Sequence, residues 1–299
     1  MSGASAGSRS SAAADTGQAP APRGLTVWQP RQPMFWFALA LIIPFAALTL
    51  LPLFLGGISG TGLIAATLVV GVQGLILWLV VRALPRVRRQ PASLRIFALV
   101  WGMTVAVGSA VFLSALFSNG LAALGLSTFS TVISAPITED VSRLLGVLAV
   151  LTLASRARIT VMDGVVYGFF VGMGFELLET LMYTLRSEDL AQTLYVGLLR
   201  SIFGFGLHAL WTAVAGAALA YCMSRRQRGL GARWWVLAPA LFGPMLMHAL
   251  WDSPGLFTSE VLQVAIMVAS YAGSIALFIA AVRWGRRSDR ECCRGTSTL

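Results

Sequence analysis

Charge is what this sequence has least of. Only 11% of its 299 residues are Asp, Glu, Lys or Arg, whereas soluble domains carry roughly 25%. A water-exposed fold of this size could not cover its surface with so few charges, which excludes the soluble classes. Lysine is missing altogether. The 22 basic residues are all arginine, set against 12 acids, for a formal charge of +10. Without lysine there is no Ser/Lys catalytic pair, and neither of the two histidines sits in an HExxH motif, so those protease classes have no support. Cysteine is scarce too. Cys222, Cys292 and Cys293 make neither a disulfide framework nor a CxxC zinc pair. No segment alternates polar and apolar residues as a barrel strand would.

What is abundant is apolar sequence: 57% of residues, with a mean hydropathy of +0.78. Residues 1–33 are rich in Ser, Ala, Gly and Pro and have nothing to bury, which predicts a disordered tail. The first apolar run begins near Met34, too far from the start for a signal peptide. From there the chain reads as a helical bundle over 34–284, followed by a basic tail over 285–299. About eight apolar runs are long enough to cross roughly 30 Å of hydrocarbon as helix. They fall near 35–55, 62–83, 96–118, 127–154, 164–185, 195–223, 234–252 and 258–283. The expected fold is therefore all-α: a polytopic transmembrane bundle of about eight helices.

The arginines set the expected topology. Arg9, Arg23 and Arg31 precede the first run, and Arg286, Arg287, Arg290 and Arg294 follow the last. Every second loop is also basic: Arg86, Arg88, Arg89 and Arg95, then Arg156 and Arg158, then Arg225, Arg226, Arg228 and Arg233. The intervening loops hold almost none, apart from Arg186 beside Glu188 and Asp189. Cytoplasmic loops collect basic residues, so both termini are expected in the cytoplasm. The same asymmetry explains the positive charge without a nucleic-acid partner.

Ionisable groups inside a membrane are costly and normally functional or paired. Here they fall in four runs only. The fourth carries Glu139, Asp140 and Arg143 in ITEDVSR, and the fifth carries Glu176 and Glu179 in GFELLET. The sixth carries His208 in LHALWT, and the seventh His248 and Asp252 in LMHALWD. At 1.5 Å of rise per residue, Glu139, Glu176, His208 and His248 each lie roughly 18–20 Å from the start of their run, near the mid-membrane plane. The spacings i,i+3 and i,i+4 put each group on one helix face. Four polar stripes turned inward would make one buried, water-accessible pocket.

Two carboxylates in low dielectric cannot both ionise easily, which suits one of them to act as general base on water. Arg143 can hold a carboxylate ionised and oriented. Alternatively, His208 and His248 with an acid could bind a divalent metal. The competing readings are structural: an ion pair locking helices for Glu139, Asp140 and Arg143, and helix–helix hydrogen bonds for the histidines. Gly168, Gly172 and Gly174 are expected to allow close helix contact. Trp211 and Trp251 each follow a histidine by three residues and are expected to pack beside it.

These motifs together resemble the PrsW family of intramembrane proteases, itself distantly similar to the type II CAAX prenyl proteases and their Abi relatives. The resemblance rests on Glu139-Asp140-x-x-Arg143, Phe175-Glu176-x-x-Glu179, His208 with Trp211-Thr212, and His248-x-x-x-Asp252, within residues 130–255. The family's first motif usually reads Glu-Glu-x-x-Lys, and its second is commonly followed by Asn where this chain has Thr180. The resemblance implies a membrane-embedded endopeptidase of the bacterial plasma membrane, cutting single-pass, anti-sigma-factor-like membrane proteins. It implies catalytic roles for Glu139, Asp140, Glu176, Glu179, His208 and His248, with Arg143 and Asp252 in support. Glu139 and Glu179 are the best candidates to activate water. The candidate ligands of a divalent metal such as zinc are His208, His248, Glu176 and Glu179, and a metal-free glutamic mechanism stands beside it. Two alternatives use the same residues: a proton-coupled transporter or channel, and a non-catalytic membrane scaffold.

Overall fold

The computed structural model describes residues 26–55, 60–187 and 189–294. Most of the N-terminal segment expected to be disordered, and Glu188, lie outside the described residues. The fold is all-helical, with no strand among the described residues. Among the described residues, ten α-helices follow in chain order: α1 Pro33–Leu55, α2 Gly60–Arg82, α3 Ala92–Trp101, α4 Val107–Ala123, α5 Ser130–Ala154, α6 Val161–Thr184, α7 Leu190–Phe203, α8 Leu207–Gln227, α9 Leu237–Asp252 and α10 Glu260–Arg294.

These make eight long helical units. α3 and α4 run on through a single π-helical stretch, Gly102–Ala106, and α7 and α8 are one span broken in the middle. Seven units are long and apolar enough to cross a membrane. The eighth, α5, has the length, but every window along it includes Glu139, Asp140 and Arg143. The chain is an integral membrane protein, and α5 carries Glu139, Asp140 and Arg143 within its length.

The core forms around α6, which is buried along almost its whole length. A helix buried on every side needs close neighbours, and small residues provide them. A Cβ on Gly164, Gly168 or Gly172 would run into the backbone carbonyls of Gly216, Thr212 and His208 on α8. On the opposite side, one on Gly174 would strike the Leu99 carbonyl of α3. The expectation that Gly168, Gly172 and Gly174 permit close helix contact is met. Helix α6 starts at a capping box: the Thr160 hydroxyl accepts from the Asp163 amide and the Asp163 carboxylate from the Thr160 amide. Its two motif acids, Glu176 and Glu179, lie deep along a helix fixed at its start and tightly packed along its length.

The outer helices show the inverse pattern. Ile64 and Leu68 on α2, Phe242 and Leu246 on α9, and Val264 and Val268 on α10 are exposed, as side chains facing lipid should be. At one end, Gln29 ahead of α1 donates to the Leu153 carbonyl of α5 at 3.0 Å. Helix α10 continues to Asp289, which is buried and pairs with Arg86 at 3.1 Å.

Candidate active site

Four helices converge on one polar group. The Glu139 carboxylate of α5 lies at its centre. Its Oε2 is 3.6 Å from Nε2 of His208 on α8 and 3.6 Å from Nε2 of His248 on α9. One donor atom from each of the three residues lies within 4.8 Å of the other two. All three side chains are largely withdrawn from the surface, His248 most of all at 3% exposure. Each is set by its helix. Pro136 and Pro244 lie inside α5 and α9, one turn ahead of Glu139 and His248, where proline removes a helical hydrogen bond. His208 sits at the second residue of α8, immediately after the break from α7.

A carboxylate backs each imidazole on its far side. Nδ1 of His248 is 3.4 Å from Asp140 Oδ2, and Nδ1 of His208 is 3.6 Å from Glu179 Oε2. Each of these carboxylates is held in turn by an arginine. Asp140 pairs with Arg143 at 2.5 Å, and Glu179 accepts a hydrogen bond from Arg200 at 2.6 Å. The two halves of the site thus repeat one arrangement, imidazole to carboxylate to guanidinium, with Glu139 between them. Arg143 also reaches Glu139 at 3.4 Å and lies over the Phe175 ring at 4.4 Å. Asp252 Oδ2 is 3.5 Å from His248 Nε2, and no arginine pairs with it among the described residues.

Aromatic rings fix the imidazole planes. Trp211 stacks on His248 at 4.3 Å between ring centres and meets His208 edge-on at 5.3 Å. Its indole N–H donates to Ser274 of α10 at 2.8 Å. Trp211 therefore packs beside both histidines, and not only the one it follows in sequence.

Of the residues singled out from sequence, Glu139, Asp140, Arg143, Glu179, His208, His248 and Asp252 meet in this group. Glu176 points elsewhere: its Oε1 accepts from the Gly206 amide at 2.6 Å and from Gln73 of α2 at 2.7 Å. Sequence reasoning missed Arg200, Gln73 and Ser274. Arg200 lies 21 residues beyond Glu179, on the following helix, and nothing local links the two. A single Gln in the apolar run of α2 was the one available signal for Gln73.

A metal ion fits this donor set. Zinc bonds of about 2.0–2.2 Å to His nitrogen and carboxylate oxygen set neighbouring ligand atoms of a tetrahedron roughly 3.3 Å apart. The 3.6 Å separations about Glu139 approach that closely. The carboxylates on the outer ring nitrogens are the usual outer partners of metal-bound histidines. The ligand group that the geometry assembles contains Glu139 with the two histidines. Glu179 stands behind His208, and Glu176 stands apart.

Two cavities flank the group. A cleft of about 270 Å³ between α4, α5 and α6 reaches Glu139 and Glu179 past Ala110, Ser114 and Ala115. A larger cavity of about 450 Å³ reaches His208 and Trp211 past Leu199, Phe203 and Met267.

The described helices thus form a membrane-embedded bundle around a buried Glu–His–His group backed by carboxylates. Residues 90–281 match the family model described as PrsW family intramembrane metalloprotease. With almost two thirds of its length covered, the chain belongs to that family. No curated protein and no solved structure matches it.

Proposed function

We propose that this protein hydrolyses peptide bonds of single-pass membrane proteins at a divalent metal, such as zinc, held by Glu139, His208 and His248. The observation that carries the reading is the convergence of those three donor atoms within 4.8 Å, buried in a family of intramembrane metalloproteases. A metal bound there supplies Lewis-acid chemistry, polarising the scissile carbonyl and activating water.

The side chains do the rest. Asp140 holds Nδ1 of His248 at 3.4 Å and the Glu179 carboxylate lies 3.6 Å from Nδ1 of His208, an arrangement that favours both Nε2 lone pairs turned inward. Arg143 and Arg200 pair with those two carboxylates and hold them in place. Asp252, with no arginine partner among the described residues and its carboxylate 3.5 Å from His248 Nε2, takes the proton from the attacking water at Oδ2 and returns it to the leaving amide nitrogen. An extended substrate segment crosses the site between the two cavities. The smaller cleft, about 270 Å³ and lined by Phe175, Met182 and Tyr183 as well as Ala110, Ser114 and Ala115, favours smaller side chains on one side of the scissile bond. The larger accepts bulky apolar ones.

The arginine distribution favours both termini in the cytoplasm, with the protein in a bacterial plasma membrane. Anti-sigma-factor-like regulators are the substrate class that the family resemblance suggests. The test is cleavage of a membrane proteome by the full-length protein in liposomes. Chelation should abolish it, zinc should restore it, and His208→Ala should never show it. Cleavage that is indifferent to chelation but lost in Glu139→Gln would assign the metal-free glutamic mechanism instead. No cleavage under any condition would reject the protease reading.

A further inference from the structure

Glu176 is the motif acid that the mechanism does not use, and its surroundings give it another task. It is 2% exposed on the central helix, and neither of its oxygens joins the Glu–His–His group. Its Oε1 accepts two hydrogen bonds, from the Gly206 amide at 2.6 Å and from Gln73 Nε2 at 2.7 Å. Gly206 is the residue ahead of α8, in the left-handed region with φ of 76°. A helix start leaves amides without intrahelical partners and carries partial positive charge, so it welcomes a carboxylate. Gly206 has no side chain to cap its own helix, and Glu176 reaches across from α6 to do so.

The same break is held from two further sides. Tyr271 of α10 donates its hydroxyl proton to the Phe205 carbonyl at 2.6 Å. Gln73 Oε1 lies 3.4 Å from the Ser201 hydroxyl near the end of α7. Helices α2, α6 and α10 thus fasten the three-residue break Gly204–Gly206, and His208 follows it by two residues.

We propose that Glu176 is a positioning residue: with Gln73 it clasps the Gly206 amide and so fixes His208 at the correct distance from Glu139. The assignment rests on the proposed metal site for its consequence, but not for its geometry. The hydrogen bonds need an acceptor oxygen at this place, not a charge or a metal bond. Glu176→Gln keeps that oxygen, and Glu176→Ala removes it.

The decisive experiment is hydrogen exchange of the full-length protein in nanodiscs, followed by mass spectrometry over the segment 203–209. Glu176→Ala should speed exchange there at least about tenfold, with the other helices unchanged. Glu176→Gln should stay within about threefold of wild type, and Gln73→Ala should fall between. Zinc affinity measured by equilibrium dialysis with zinc alone is the second readout. Glu176→Gln should bind almost as wild type and Glu176→Ala at least about tenfold more weakly, because a displaced His208 is a poorer ligand. Unchanged exchange over 203–209 in Glu176→Ala would overturn the proposal. So would loss of zinc binding in Glu176→Gln as complete as in Glu139→Gln, which would make Glu176 a ligand. If Glu176→Ala loosens every helix, Gln73→Ala decides: local loosening supports the clasp and no change refutes it. If wild type binds no zinc, the metal reading fails while the exchange result still judges the clasp.

Discussion

Replacing Gly172 by Ala should inactivate the protein from a position with no chemistry of its own. Gly172 packs against α8 where His208 begins its helix, and an added Cβ would lie 2.6 Å from the His208 carbonyl carbon and 2.6 Å from Ala209 Cα. Both are backbone atoms and cannot swing aside. The His208 carbonyl oxygen lies closer still, so restoring ordinary contact of at least 3.4 Å requires α8 to move off α6 by about 1 Å, a misplacement that can cost a catalytic site about 100-fold in rate. Overpacking a tight core also costs about 1–3 kcal/mol of stability, a loss that the remaining α6 contacts should survive. The assay pairs thermal unfolding in nanodiscs with cleavage rate per folded molecule. The control is Gly71→Ala, where an added Cβ meets nothing within 4 Å, which should leave both unchanged or raise stability slightly. Folded Gly172→Ala with a rate within twofold of wild type would refute the claim that the α6–α8 contact sets the position of His208.

Other expectations follow from the same geometry. Arg200→Leu strips Glu179 of its 2.6 Å partner and should lower cleavage at least tenfold, with Arg200→Lys intermediate because one compact charge replaces the planar fork; equal rates in all three forms would remove Glu179 from the site. Trp211→Phe keeps a ring beside His248 but loses the bond to Ser274, and should cost less activity than Trp211→Ala in the same assay. Asp289→Ala breaks a largely buried 3.1 Å ion pair with Arg86 outside the catalytic group. It should cost about 1–3 kcal/mol, read as a lower unfolding midpoint, with the rate per folded molecule unchanged.

Much of this architecture was legible from composition. Apolar run length located the eight helical units because crossing a membrane demands that length of helix whatever the neighbours are. The polar residues stood out against an apolar background, and their equal depth along successive runs brought Glu139, His208 and His248 together on paper. What could not be read depended on rotation and on breaks. Equal depth and i,i+3 spacing also suggested Glu176, which lies only about 60° from Glu179 around α6; yet Glu179 faces His208 while Glu176 turns to Gln73 and Gly206. The break at Gly204–Gly206 was hidden because residues 195–223 read as a single long, tilted span. Its signal was there in Gly204-Phe205-Gly206, two glycines straddling one residue inside an apolar run. Arg200 was a charge inside the apolar run 195–223 whose signal went unread, and Ser274 came from a helix whose own sequence gave no reason to look.

The central claim is proteolysis that depends on Glu139. The most direct measurement maps peptide termini in the membrane fraction of cells carrying either the wild-type chain or Glu139→Gln at matched expression. The account predicts new termini in or next to membrane-spanning segments with wild type alone. Identical termini from both proteins, across several stress conditions, would contradict it.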